Sequence, residues 1–131
     1  RNKHAAVKKI CSKIKLYLGD MIISDEISRR LEDFKMICSN HGVRYLYAFG
    51  SSISDRFDTE TSDIDLLVEM DNPDPIERGE KLISLWDTLE DFFQRKVDLL
   101  TDSSIRNPFL RKSIDSTKIL IYDRSGQKVL I

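Results

Sequence analysis

The stretch VRYLYAFGSSISDRFDTETSDIDLLVE, residues 43–69, contains the features that decide the fold. Two apolar runs, residues 43–49 and 64–68, are joined by a polar connection. Because such runs are the length of strands and are bounded by Gly, Ser and Asp, they predict two β-strands. The first run is apolar on both faces at nearly every position, which predicts a central strand.

Two aspartates, Asp63 and Asp65, open the second predicted strand. Positions i and i+2 of a strand share one face, so the two carboxylates project from the same side of the sheet. Carboxylates placed side by side repel each other and are costly beside an apolar core. A hard divalent cation with oxygen ligands would offset that cost, which makes the pair a candidate metal site. A solvated turn or a helix cap is the alternative reading of the same pair.

The first predicted strand ends in Gly50-Ser51, ahead of residues that can start a helix. Such a turn offers free backbone N–H groups and a hydroxyl, which suit phosphate oxygens. A Gly-Ser pair alone is common, whereas Gly-Ser followed by Asp-x-Asp at a second strand is far more specific.

The string Phe49-Gly50-Ser51 with the later run Ser62-Asp63-Ile64-Asp65-Leu66-Leu67-Val68 resembles the minimal nucleotidyltransferases of the DNA polymerase β-like superfamily. The resemblance covers about residues 27–123 and implies an α/β (α+β) fold, a small mixed β-sheet flanked by helices. It also implies a third carboxylate on a neighbouring strand, and Asp98 matches that position. An aspartate within the apolar run 97–100 is unfavourable unless it is paired or binds metal. Pairing of Asp98 with Arg or Lys across the sheet is the alternative.

The resemblance further implies transfer of a nucleoside monophosphate, AMP above all, from ATP or another NTP to a hydroxyl group. One or two Mg²⁺ ions would be held by Asp63, Asp65 and Asp98, the predicted catalytic residues. The predicted nucleotide-binding residues are Gly50, Ser51, Ser52, Arg56 and Ser62. Arg56 has an equally good reading as a solvated cation.

Proteins of this family are typically encoded beside a HEPN-domain protein, and the pair resembles a toxin–antitoxin system. There the transferase is the antitoxin and adenylylates a tyrosine of its HEPN ribonuclease partner. The resemblance therefore implies a HEPN-domain partner for this chain. Two alternatives stay open: a catalytically weak antitoxin that neutralises its partner by binding alone, and a small-molecule, drug-modifying nucleotidyltransferase.

Composition favours a cytoplasmic globular protein. The chain has 131 residues, 40% of them hydrophobic and 33% charged, and a formal net charge of −1. No apolar run is long enough to span a membrane, and no secretory signal is visible. Nothing in the overall charge favours a nucleic-acid partner. Residues 1–18, however, have six Lys or Arg and no acidic residue, so a local nucleic-acid contact is a third alternative.

The remaining pattern predicts the other elements. We expect a basic helical extension over residues 1–22, with its helix ended by Gly19-Asp20, and a nucleotidyltransferase domain over residues 23–131. Further helices are predicted at 24–40 with Ser24 as N-cap, at 76–94, and within 103–116, where a turn is followed by a helix capped by Asn107. A short buried strand is predicted at 97–100 and a final strand at 119–122, and residues 123–131 are expected to form a tail. Cys11, Cys38 and Trp86 are expected to be core residues.

Overall fold

The computed structural model describes residues 18–50, 63–125 and 128–129. Its sheet contains five strands: β1 (Val43–Phe49), β2 (Ile64–Met70), β3 (Val97–Thr101), β4 (Ile119–Asp123) and β5 (Lys128–Val129). Their spatial order is β3-β2-β1-β4-β5. β1 is antiparallel to β2 and β4, whereas β2 and β3 are parallel. The predicted mixed sheet and the central position of β1 are therefore confirmed.

In the part of the chain that the structure describes, four α-helices accompany the sheet: α1 (Leu18–Arg29), α2 (Leu31–Asn40), α3 (Pro75–Phe93) and α4 (Pro108–Thr117). A short 3-10 turn, Asp102–Ser104, follows β3. Both α3 and α4 begin at proline after a capping side chain, Asp74 and Asn107 respectively. Proline fits the first helical position because its missing N–H would have no partner there. The prediction of Asn107 as a cap is confirmed.

The N-terminal helices differ from the prediction. Gly19 and Asp20 do not end a helix but lie in the first turn of α1, and Ser24 lies inside α1 rather than capping a helix. Glycine costs a helix only about 1 kcal/mol, which burial of an apolar face can outweigh. Ile23 and Ile27 of α1 supply that burial, being 1% and 0% exposed.

The predicted single helix over 24–40 is in fact two helices, interrupted at Arg30. Arg30 has φ −133° and ψ 48°, and its guanidinium donates a hydrogen bond to the carbonyl oxygen of Phe92 on α3. The apolar positions Ile27, Phe34 and Cys38 are all buried, so the hydrophobic stripe continues across the break. That continuity hides the interruption from the sequence pattern.

The core lies mainly on one face of the sheet. Residues of α1, α2 and α3 pack there with alternate residues of the strands, including Leu46, Leu66 and Leu99. The opposite face has a smaller cluster in which Ile114 of α4 packs with Phe49 and Leu67. We call this second side the open face. The two faces follow from the alternation of side chains along each strand.

The short strand β5 was not predicted. It lies in the stretch 123–131, for which the sequence predicts a tail, and its two residues are too few to show strand alternation. Residues 1–17, with Cys11, lie outside the described residues. The division at residue 22 stays a prediction, although α1 runs across it. Among the helices described, none is long and apolar enough to cross a membrane.

Candidate active site

The strand β2 directs its aspartates to the open face. Ile64, Leu66 and Val68 are at most 2% exposed and belong to the larger core. The alternate residues Asp65 and Leu67 therefore project to the other side. Asp63 stands immediately before the strand, two residues upstream of Asp65 and so on the same face in the strand alternation. Both aspartates are half-buried.

The parallel neighbour β3 brings the third predicted carboxylate beside the second. Its register pairs Asp65 with Asp98, flanked by the pairs Ile64–Val97 and Leu66–Leu99. Residues paired across a ladder project from the same face, and neighbouring strands lie about 4.8 Å apart. The predicted position of Asp98 on a strand beside Asp-x-Asp is confirmed. The expectation of a buried strand is wrong at Asp98, which is exposed on the open face; among the described strands, β3 is the last on its side of the sheet.

Gly50 closes the site from the end of β1. The register places Phe49 opposite Asp65, and Gly50 follows with φ +65°, a conformation that favours glycine. A Cβ atom at position 50 would lie 2.7 Å from Oδ2 of Asp65. The absence of a side chain at Gly50 therefore lets the Asp65 carboxylate lie directly against the turn.

These residues suit a hard cation in chemistry and placement. All three predicted ligands are carboxylates, which Mg²⁺ accepts, and Gly50 puts no side chain against the Asp65 carboxylate. In the ranges that the structure describes, however, no three His, Cys, Asp or Glu side chains are grouped closely enough to hold one ion. The fold thus supplies the strand positions of the ligands rather than a closed cage.

The predicted phosphate contacts fall mostly in the connection between β1 and β2. Of the five predicted nucleotide-binding residues, the structure describes Gly50. The other four lie outside the described residues: Ser51, Ser52, Arg56 and Ser62.

Helix α3 contributes two side chains whose position the sequence pattern did not reveal. The indole Nε1 of Trp86 donates to the carbonyl oxygen of Val97 at 2.6 Å, and Oε2 of Glu90 accepts from the N–H of Val97 at 3.0 Å. Trp86 also packs against the larger core, as predicted. The signal available in the sequence was the i, i+4 spacing of Trp86 and Glu90, which puts them on one helix face.

Tyr47 lies on the open face further along β1 from Gly50. It packs against the smaller cluster, and the ammonium of Lys118 lies 4.6 Å from its ring centroid. Burial, and then the negative charge of Glu69, raise the pKa of Tyr47, which keeps its phenol protonated. These contacts make Tyr47 a packing residue of the open face.

Comparison with known proteins identifies the class. The family model "Polymerase beta, Nucleotidyltransferase" matches residues 32–127, which is most of the chain. The chain belongs to this family and is a nucleotidyltransferase, as the resemblance implied.

Two relatives from Methanocaldococcus jannaschii agree with this assignment. "Putative protein adenylyltransferase MJ0126" is 39% identical over 87 residues, covering 66% of this chain and 85% of the relative. MJ1217, which has the same description, is 38% identical over 87 residues with the same coverage.

Two solved structures share the fold. One is described as "Structure of putative minimal nucleotidyltransferase" and has a TM-score of 0.51 at 24% identity, covering 72% of this chain and 92% of that chain. The other is a mutant of the toxin–antitoxin MntA-HpeT, with a TM-score of 0.50 at 20% identity, covering 72% and 74%.

Proposed function

We propose that this chain catalyses Mg²⁺-dependent transfer of a nucleoside monophosphate, AMP above all, from an NTP to a hydroxyl group of a protein. One observation carries the proposal: the parallel register sets Asp65 beside Asp98 on the open face, with Gly50 against Asp65. Positioning and charge stabilisation are the main demands of phosphoryl and nucleotidyl transfer. Carboxylates on adjacent strands answer both demands.

Asp63, Asp65 and Asp98 would hold the magnesium. When bound, the metal supplies positive charge against the triphosphate and against the charge that develops at the α-phosphorus. The acceptor hydroxyl oxygen forms a bond to the α-phosphorus, and the bond from that phosphorus to the oxygen bridging the α- and β-phosphates breaks. Pyrophosphate leaves with the bonding electrons.

Asp98 is the best placed of the three carboxylates to take the hydroxyl proton. It is exposed, so a proton accepted on its carboxylate oxygen can pass on to solvent. Gly50, which has no side chain, would offer its backbone N–H to phosphate oxygens beside the Asp65 carboxylate.

We further propose that the acceptor is a tyrosine of a HEPN-domain partner and that the chain acts in the cytoplasm as the antitoxin to that partner. The names of the M. jannaschii relatives, as protein adenylyltransferases, support a protein acceptor. The toxin–antitoxin description of a solved structure with the same fold supports this kind of partner.

The test is incubation with α-labelled ATP, GTP, CTP or UTP and Mg²⁺, with and without the protein that the neighbouring gene encodes. We expect label on the partner, strongest with ATP, and a loss of about 100-fold in Asp63→Asn and in Asp98→Asn, the scale of misplaced catalytic groups. Glu69→Gln is the matched control, because Glu69 is an exposed carboxylate further along β2. Equal labelling by all variants would contradict the assigned roles. A tight complex without any label would instead indicate neutralisation by binding.

A further inference from the structure

The edge strand β3 turns half of its backbone groups away from the sheet. The N–H of Ile64 donates to the carbonyl oxygen of Lys96 at 3.0 Å, and Ile64 stands opposite Val97. In a parallel ladder this pattern points the N–H and C=O of Val97 away from β2. In the described ranges, β3 is the last strand on that side of the sheet.

Both outward groups of Val97 are bonded by α3. Glu90 accepts from the N–H at 3.0 Å, and Trp86 donates to the C=O at 2.6 Å. We call these two hydrogen bonds the Val97 clamp. The bond to Glu90 has a carboxylate as acceptor, which makes it stronger than a bond between neutral groups. The side chain of Val97 is 0% exposed, so the residue is fixed by its backbone and by the core together.

The clamp acts on the residue immediately before Asp98. A peptide unit fixed at Val97 leaves Asp98 little freedom to leave its register with Asp65. The outward groups of Thr101, at the far end of β3, are instead bonded locally by the hydroxyl of Ser104, at 3.2 Å from its N–H and 2.7 Å from its C=O. The two hydrogen bonds from α3 thus converge on the start of β3, next to the candidate site.

We propose that Trp86 and Glu90 are positioning residues for nucleotidyl transfer. They hold β3 so that the Asp98 carboxylate stays beside Asp65 when magnesium and nucleotide bind. This inference rests on the proposed function, which gives Asp98 its role. Groups that orient metal ligands without touching the metal are worth about 10- to 100-fold in metal affinity or activity.

The test compares four variants: Trp86→Phe, Glu90→Leu, Glu90→Gln and the control Thr88→Val. Trp86→Phe keeps an aromatic ring and loses the N–H donor. Glu90→Gln keeps an oxygen that can accept from Val97, whereas Glu90→Leu does not. Thr88 lies on the same helix and its hydroxyl donates to the carbonyl oxygen of Ser84 at 2.7 Å, so Thr88→Val removes a hydrogen bond that does not involve β3.

Three readouts are needed, and two of them do not depend on activity. In the metal-free protein, hydrogen exchange of the 97–101 segment should be faster in Trp86→Phe and Glu90→Leu than in the wild type and the control. The Mg²⁺ concentration for half-maximal ATP binding should rise about tenfold in the same two variants, and transfer should slow by about 10- to 100-fold. Glu90→Gln should restore all three values nearly to those of the wild type.

The inference is overturned if Trp86→Phe leaves exchange and magnesium dependence at wild-type values, or if Glu90→Gln is as impaired as Glu90→Leu. Should Glu90→Leu not fold, Trp86→Phe and Glu90→Gln still decide the question. Asp98→Asn separates the two levels of the argument. Full transfer by Asp98→Asn refutes the role assigned to Asp98 under the proposed function. Loss of transfer in Asp98→Asn with an unchanged Trp86→Phe refutes the clamp alone.

Discussion

Replacing Gly50 by alanine tests the close approach of the β1 turn to Asp65. The new Cβ would stand 2.7 Å from Oδ2 and 3.5 Å from Cγ of the Asp65 carboxylate, whereas ordinary contacts lie at 3.4–4 Å. The carboxylate would have to move by about 0.7 Å, and a comparable misplacement of catalytic groups can cost about 100-fold in rate. The left-handed φ of +65° adds about 1–3 kcal/mol of strain for a residue other than glycine.

Gly42→Ala is the matched control for Gly50→Ala. Gly42 has a similar φ of +69°, but a Cβ added there would meet nothing within 4 Å, so alanine brings the strain without the collision. Both variants should lose about 1–3 kcal/mol of unfolding free energy in urea denaturation. Only Gly50→Ala should lose about 100-fold in transfer of labelled AMP. Equal activity of the two variants at equal folded fraction would refute the steric argument at Asp65.

Three smaller predictions follow from single residues. Gly79→Ala should raise the unfolding free energy by about 0.5–1 kcal/mol in urea denaturation, because Gly79 is in α3 and an added Cβ meets nothing within 4 Å. Burial raises the pKa of the Cys38 thiol to about 12 from 9.0, so the free energy of unfolding should fall as pH rises from about 9 to 12. In Cys11→Ser protein, which leaves Cys38 as the only thiol, iodoacetamide at pH 8 should label the native state far more slowly than the unfolded chain. Asp98→Asn should stabilise the metal-free protein by about 0.5–1 kcal/mol in thermal unfolding with EDTA, because it removes a like charge from the position paired with Asp65 across the two strands. An unchanged midpoint would contradict that repulsion.

Much of the sheet could be predicted because its strands are bounded by strong local signals. β1 has the bounds of the first apolar run, which stops just before Gly50. β2 begins with the second run, directly after Asp63, and continues two residues beyond it to Met70. The break between α1 and α2 could not be predicted, because the stripe of buried residues passes through it unchanged. What distinguishes Arg30 is its hydrogen bond to the carbonyl of Phe92, a contact between residues far apart in the chain.

The sequence predicted the residue types of the candidate site better than it predicted how exposed those residues are. Spacing put Asp63 and Asp65 on one face, and the family resemblance supplied Asp98. The exposure of Asp98 was missed because a short apolar run does not distinguish a central strand from an edge strand. The strand order, which is a property of the whole sheet, decides between them.

Among the described strands, β3 is the last on its side of the sheet, which makes Asp98 accessible but leaves β3 with a neighbouring strand on one side alone. An edge strand leaves Asp98 exposed, as the proposed protein acceptor would require, but it also leaves backbone groups without a neighbouring strand. The outward backbone groups of Val97 are bonded by side chains of α3, and those of Thr101 by the Ser104 hydroxyl. A further strand on that side would satisfy the same backbone groups, yet it would cover the approach to Asp98. Hydrogen bonds from side chains of a helix on the core face keep β3 fixed while the open face stays accessible. This is why the residues proposed to position Asp98 lie on the opposite side of the sheet from the candidate active site.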